Sequence, residues 1–308
     1  MDDSKQSCIQ GIKLKPLRNR IQEASRQQGI PQYIIEKDYA LSYILAGISL
    51  KPEINNTLVF KGGTALKKLF FGDYRFSEDL DFSAINSPTG EELENAIKDV
   101  TVETLRLLTE HGPFSIHLER YLEREPHPHG QEAFIVRVQF PWHPSPMCRI
   151  KIEITHDEPV LMSAQKRRLI HGYDEELDCD ISCYQLEEIV AEKLRTLLQT
   201  HQKLIQRGWN RPRARDYYDL WRILKQYNDG LDGKKITKLL DQKCKHREVS
   251  FKSRNDFFSE ELVSEAHKHW ETNLAPFLVE LPECSIVLEE LRELLNDLIS
   301  VKNVSDFL

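Results

Sequence analysis

Leu58-Val-Phe-Lys-Gly-Gly-Thr-Ala-Leu-Lys-Lys-Leu-Phe-Phe-Gly-Asp-Tyr-Arg-Phe-Ser-Glu-Asp-Leu-Asp-Phe-Ser83 reads as strand, glycine turn, short helix, loop and second strand. Leu58, Val59 and Phe60 form a short apolar run that stops at Gly62-Gly63, the pattern of a buried strand entering a tight turn. A helix over Ala65–Phe71 would begin at those glycines and turn its unpaired N–H groups, which attract anions, toward the turn. Arg75 to Ser83 returns as a strand. Alternation then puts Asp79 and Asp81 on one face and Leu80 and Phe82 on the other. Two carboxylates on one face repel unless a cation lies between them. Mg²⁺ suits that position, because it takes a few carboxylates together with the phosphate oxygens of a substrate. A glycine turn holding a triphosphate beside a carboxylate-bound metal describes a nucleotidyl-transfer site. The plainer reading is a solvated surface hairpin, but Gly-Gly and a helix start just upstream favour the site.

Outward from this unit, 308 residues with 40% hydrophobic and 30% charged side chains describe a globular chain of one large domain or two. No apolar stretch approaches the roughly 20 residues of a membrane helix, so no membrane partner is expected. The start, Met-Asp-Asp-Ser-Lys, is unlike a secretory signal. Cys8, Cys148, Cys179, Cys183, Cys244 and Cys284 form no Cys-x-x-Cys, which fits free thiols and a cytoplasmic location. The net charge is −7 but unevenly spread. Lys193 to Lys225 holds nine lysines and arginines against Asp216 and Asp219, whereas Phe251 to Leu308 holds five against twelve acidic residues. A basic stretch beside a phosphate site suits a phosphate-rich partner, and ordinary exposed helix charge is the competing reading.

Upstream, Leu14–Gln28 reads as an exposed helix, and Pro31 opens another in which Asp38 falls in the apolar stripe of Ile34, Leu41 and Leu45. A buried aspartate needs a partner, so structural pairing is the expected role. Downstream, Thr89–His111 reads as a long helix. Ser115–Glu123, Ala133–Phe140 and Cys148–Thr155 alternate as strands. Glu153 becomes a third carboxylate if its strand lies beside that of Asp79 and Asp81. His127 and His129, in the link 124–131, lack the further ligands of a metal site. From Gln185 the pattern is helical. Lys193 sits in the apolar stripe of Gln185–Gln199, either snorkelling to water or reaching into a site. Asp216 and Asp219 face inward on Arg215–Tyr227. His201–Arg213 between them reads as an exposed basic loop carrying Lys203, Arg207, Arg211 and Arg213, candidates for holding an RNA backbone. Helices over Ile236–His246, Glu260–Trp270 and Ser285–Val301 follow.

Lys61-Gly-Gly-Thr-Ala-Leu66, Arg75-Phe-Ser-Glu-Asp-Leu-Asp-Phe82, Gln185-Leu-Glu-Glu-Ile-Val-Ala-Glu-Lys-Leu-Arg195 and Arg215-Asp-Tyr-Tyr-Asp-Leu220, with Ile35-Glu-Lys-Asp-Tyr39 upstream, resemble the AbiEii/MenT toxin-type nucleotidyltransferases. The resemblance runs from about residue 30 to 225, in family order. It implies an α+β fold, a DNA-polymerase-β-like mixed sheet with flanking helices at 1–184, followed by a helical domain at 185–308 that contributes to the site. By position it implies that Lys61, Gly62, Gly63, Thr64, Arg75, Ser77 and Lys193 bind the nucleotide. It also implies that Asp79, Asp81 and Glu153 hold Mg²⁺ or Mn²⁺, and that Lys193, Asp216 and Asp219 complete the catalytic set. Fifteen residues separate Gly63 from Asp79, slightly more than is usual in the superfamily. The implied activity is transfer from an NTP to an acceptor, a tRNA 3′ end, by the toxin of a toxin–antitoxin or phage-defence pair with a cognate antitoxin. The rivals are a small-molecule transferase of the aminoglycoside-modifying kind, which needs an acidic cleft, and a non-catalytic nucleotide sensor.

Overall fold

Alternation in Cys148–Thr155 sends Ile150, Ile152 and Ile154 to one side and Lys151, Glu153 and Thr155 to the other, and the whole sheet is built on that two-sidedness. The computed structural model describes residues 14–122 and 130–299. Its strands are β1 (Leu58–Lys61), β2 (Asp79–Ala84), β3 (Ser115–Tyr121), β4 (Gln131–Gln139), β5 (Cys148–Thr155), β6 (Gln165–Arg168) and β7 (Asp180–Cys183). They form one mixed sheet in the order β3-β4-β5-β2-β1-β7-β6. β2 runs antiparallel to β1 and parallel to β5, and β1 runs parallel to β7. In register, Phe60 faces Phe82, which in turn faces Ile154, so the apolar face is continuous across the centre of the sheet.

Helices α1 (Leu17–Gln28), α2 (Gln32–Ser49), α3 (Pro52–Asn55), α4 (Gly62–Ala65) and α5 (Gly90–Leu108) accompany the strands. α2 is buried on nearly every side, from Ile34 to Ile48, and packs against β5, β7 and α5. Burying such a helix takes apolar residues around its whole circumference. Beyond the sheet lie α6 (Leu186–Arg207), α7 (Ala214–Tyr227), α8 (Gly233–His246), α9 (Glu260–Leu274) and α10 (Cys284–Leu298). One hydrophobic core runs from Leu17 to Ile299 through both groups. No helix of the described residues is long and apolar enough to cross a membrane.

Several sequence expectations change. α6 runs on to Arg207 and ends at Gly208, whose φ of 74° gives the left-handed cap that glycine tolerates. Lys203 and Arg207 therefore ride on a helix, and only 208–213 connects it to α7. The second strand starts at Asp79, leaving Arg75 to Glu78 irregular. The glycine-led helix changes to a π-turn over Leu66–Phe70. α1 is partly buried, through Leu17, Arg20 and Ile21. β6 and β7 were not foreseen. The link holding His127 and His129 lies outside the described residues up to 129, as does the end of the last expected helix.

Asp38 is paired, as its place in an apolar stripe requires. Lys68 Nζ donates to Asp38 Oδ2 at 2.7 Å and to Ser42 Oγ at 2.9 Å, and Tyr173 donates its hydroxyl to the same carboxylate at 3.1 Å. Burial pulls the Lys68 ammonium down to about 8 even with Asp38 opposing the shift. The pair ties α2 to the π-turn behind the glycines. Asp38→Asn, which strands a buried ammonium, is expected to cost about 3–5 kcal/mol in urea unfolding. The double change Asp38→Leu with Lys68→Met should recover most of that loss. A single-mutant loss under about 1 kcal/mol would show the pair to be effectively solvated.

Candidate active site

Gly62 and Gly63 stand at the end of β1, and each is glycine for its own reason. Gly62 has φ of 80°, and a Cβ there would lie 2.6 Å from Asp81 Oδ2. At Gly63 a Cβ would lie 2.2 Å from Arg75 Nη2. The turn is therefore clasped between a carboxylate and a guanidinium. The ladders place the rest. Asp81 sits across from Lys61 on β1 and from Glu153 on β5, so these three side chains share a face. Asp79, two residues back, shares it too. The condition set for Glu153 as a third carboxylate is met.

This face opens into a cavity of about 290 Å³. The sheet contributes Lys61, Asp79, Asp81, Gln131, Glu153 and Thr155, and the opposite side comes from α6, α7 and the connector between them. Of the expected residues, Lys61, Gly62, Gly63, Arg75, Ser77, Asp79, Asp81, Glu153, Lys193, Arg211, Arg213 and Asp216 all line it. Four do not. Thr64 is buried and turns its hydroxyl to the Asp79 carbonyl at 2.5 Å. Lys203 and Arg207 lie farther along α6. Asp219 is wholly buried behind the wall, where it accepts two hydrogen bonds from Arg75, one from Tyr74 and one from Lys193, each at 2.7 Å. From there it holds Arg75 and Lys193 in place.

The floor is acidic and strained by its own charge. Burial first, then Glu153 and Asp79, push the Asp81 carboxyl up to about 7. Asp79 is raised by burial, Glu153 and Glu78. Across the cavity the balance reverses. Burial disfavours the Lys193 ammonium, but Asp216 at 2.8 Å and Asp219 at 2.7 Å outweigh it and hold its pKa above the ordinary lysine value. Lys193 thus neither snorkels nor stands free; it is pinned between two aspartates with its head at the cavity wall. Arg213 braces Asp216 at 3.6 Å and Thr200 at 2.9 Å. Arg211 lines the cavity without a hydrogen bond or ion pair to any described residue.

Sequence reasoning passed over Glu192 and Arg215. Glu192 accepts from Lys61 Nζ at 2.8 Å and is itself 3.4 Å from the buried Lys243 of α8. Lys243 also meets Glu188 at 3.1 Å and Glu158 at 3.3 Å. The signal lay in Glu188 and Glu192 themselves, two acids four apart on one helix face with no cation four residues on. Arg215, stacked 4.4 Å over the Phe277 ring, was quoted within a motif without being given a role.

The oxygen donors of Asp79, Asp81 and Glu153 are of the kind Mg²⁺ takes. Among the described residues no three acidic, histidine or cysteine side chains stand close enough to cage a metal unaided. Gln131 holds one Glu153 oxygen at 2.7 Å. Two carboxylates with raised pKa values, open to a cavity, fit an ion that completes its shell with substrate oxygens.

A mixed sheet with paired aspartates beside a glycine turn, walled by helices, belongs to the nucleotidyltransferases. The family model described as the nucleotidyl transferase AbiEii toxin of type IV toxin–antitoxin systems matches residues 43–297. The chain belongs to that family and is a nucleotidyltransferase toxin. Among solved structures it is similar to MenT4, a nucleotidyltransferase toxin from Mycobacterium tuberculosis H37Rv, with a TM-score of 0.63 and 19% identity, covering 94% of this chain and 91% of that one. It is also similar to an H. pylori protein described as a nucleotidyltransferase, with a TM-score of 0.50 and 19% identity, covering 87% and 96%. At such identities the likeness is one of fold. No curated protein matches the chain in sequence.

The raised Asp81 pKa has a consequence for stability. Its carboxyl moves from 3.8 to about 7 on folding, so between those values the folded chain binds more protons than the unfolded one. Stability from this group is therefore full below pH 4 and lost as pH rises to about 7. With chelator present, Asp81→Asn should melt a few degrees above wild type at pH 8 and level with it at pH 4. Added Mg²⁺ should raise the wild-type melting temperature at pH 8 and not at pH 5. An offset between the two proteins that is the same at both pH values would remove Asp81 from the charged floor.

Proposed function

We propose that this toxin moves a nucleoside monophosphate from an NTP to a hydroxyl of an RNA acceptor, a tRNA 3′ end, with Mg²⁺ or Mn²⁺ bound. The observation that carries the reading is the charge division of one cavity. Asp79 and Asp81, raised in pKa, lie on its floor, and Lys193, Arg211, Arg213 and Arg215 lie on its wall. A triphosphate with its cation fits between such surfaces, since each side neutralises what the other repels.

Asp79 and Asp81, with Glu153 across the ladder, would hold the metal, which supplies charge neutralisation at the reacting phosphate when bound. Gly62 and Gly63 let the backbone approach the phosphates, with Lys61 and Ser77 at the same rim. Arg75 and Lys193 hold their charges in place through Asp219, so no reorganisation is needed when charge develops. Asp216 keeps Lys193 protonated. The sheet half, 1–184, would thus bring the carboxylates and the glycine turn, and the helical half, 185–308, the cations.

RNA as acceptor is supported by the density of cations from α6 to α7. Burial, together with Arg207, Arg213 and Arg195, holds the Lys203 ammonium below its ordinary value, as expected where positive charges crowd. Lys203 and Arg207 on α6 and Arg211 and Arg213 on the connector would carry the strand's phosphates toward the cavity. An aminoglycoside-type acceptor is itself cationic and would be repelled by this wall. A nucleotide sensor would not need Asp79 and Asp81 together. Toxin–antitoxin membership supports a cognate antitoxin as partner. We extend the reading to action in the cytoplasm, where tRNA is met, and to phage defence.

The test is incubation with each labelled NTP, total RNA and Mg²⁺, with and without chelator. Label should enter RNA only with metal, and Asp81→Asn, folded by circular dichroism, should lose about 100-fold or more of the rate. Near-wild-type transfer by that variant, or label on a small cationic acceptor instead of RNA, would overturn the reading.

A further inference from the structure

The connector from α6 to α7 holds a residue that the transfer site itself does not use. Trp209 is 70% exposed, directly after the Gly208 cap. It makes no ring contact or hydrogen bond with any described residue. Large apolar rings are rarely left this bare. The other tryptophans are covered: Trp221 is 9% and Trp270 5% exposed, and Trp142 is half-buried and donates to Glu36.

Position gives the bare ring a meaning. Two residues on, Arg211 lines the cavity without a hydrogen bond or ion pair to any described residue, close enough for its charge to act on Asp79 and Asp81, and Pro212 and Arg213 line it as well. Two residues span at most about 7 Å, so the Trp209 backbone lies within that distance of the backbone of a cavity-lining residue. The connector is anchored, because Arg213 donates to Thr200 at 2.9 Å and meets Asp216 at 3.6 Å. Before it in the chain, at the end of α6, Arg207 and Ile205 are exposed, Ile205 to 66%. The strip leading to the cavity therefore alternates cation, ring, cation. That is the composition with which proteins hold single-stranded nucleic acid: bases stack on the aromatic face and phosphates meet the arginines.

We propose that Trp209 is a stacking platform for an unpaired base near the end of the RNA acceptor, with Arg207 and Arg211 holding the phosphates on either side of that base. The acceptor end is then single-stranded where it enters the cavity, and it is selected by having a base free to stack. The proposal rests on the RNA reading above and adds to it the means by which the strand's end is gripped. A protein partner would also cover an exposed tryptophan. It would not require the same connector to run on into the reaction cavity with Arg211 lining it.

Binding without NTP or metal separates this proposal from the activity. Fluorescence anisotropy is measured with a short single-stranded RNA and with a blunt duplex of the same sequence, across a salt series. Trp209→Ala should weaken single-strand binding about 5- to 150-fold and leave the salt slope unchanged, because stacking releases no counterions. Trp209→Phe should restore most of the affinity. Arg211→Gln should lower the slope by about 0.7. The blunt duplex should bind wild type and Trp209→Ala alike, and NTP affinity should be the same in both. Wild-type RNA affinity in Trp209→Ala, while label still enters RNA, would overturn the platform and leave the RNA reading standing. If no RNA binds and label goes elsewhere, both fall. If Trp209→Ala instead loses an antitoxin and keeps its RNA, the ring belongs to a protein interface and the proposal is wrong.

Discussion

The carboxylate of Asp219 is the joint on which the cavity depends. It is wholly buried, and a buried charge persists only when its oxygens are satisfied. Four donors meet it: two from Arg75, one from Tyr74 and one from Lys193. They come from the irregular stretch before β2 and from α6, while Asp219 itself is on α7. One carboxylate thereby ties three segments, distant in sequence, to one point behind the wall. Arg75 held there stands against Gly63, and Lys193 held there reaches the cavity between two acids. The opposing charges push the Asp219 carboxyl well below the usual range. A neutral residue in its place would leave the buried Arg75 guanidinium without its carboxylate and Lys193 with Asp216 alone.

A second joint works the same way at the other end of the cavity. Lys61 reaches Glu192, and Glu192 is braced by Lys243 of α8. Lys61 and Lys243 also stand 5.6 and 5.1 Å from the centroid of the same Tyr184 ring. Lys243 is fully buried among Glu158, Glu188 and Glu192, and these acids hold its ammonium above the ordinary value in spite of burial. The helices after α7 are thus more than a packing layer. Through α8 they set where a rim lysine of the glycine turn points.

What the sequence disclosed follows from the range of the forces involved. Alternation and glycine chemistry are local. They gave the β1-turn-β2 unit, the shared face of Asp79 and Asp81 and the apolar face of β5. The adjacency of β5 to β2 was a condition that no local pattern could supply, and the register of Asp81 with Glu153 meets it. β6, Gln165-Lys-Arg-Arg168, has no apolar residue to betray a strand; it forms because β7 offers its edge. The last turns of α6 looked like a loop because His201 to Arg207 is polar apart from Leu204 and Ile205. Leu204 packs on the core, and the helix runs to the first residue that can take a left-handed cap. The inward aspartates of α7 were visible as a face. That one of them lies in the cavity and the other behind it depends on Arg75, far away in the chain. The bare ring of Trp209 went unremarked, because exposure is a property of the folded chain.

These contrasts bear on how such a site can vary. The carboxylates sit at the centre of a seven-stranded sheet, with their spacing set by backbone ladders that fix register to the residue. The cations facing them sit on helices and a six-residue connector, positioned by side-chain pairs such as Arg213 with Asp216. Changing a strand residue shifts the floor for every substrate. The connector 208–213 carries no ladder and little of the core, so its residues can change without moving the floor, except where Arg213 braces Asp216. The acidic floor and the basic wall therefore rest on different kinds of structure. The first is held by the sheet, and the second by two helices and a surface segment whose side chains can vary without breaking a ladder.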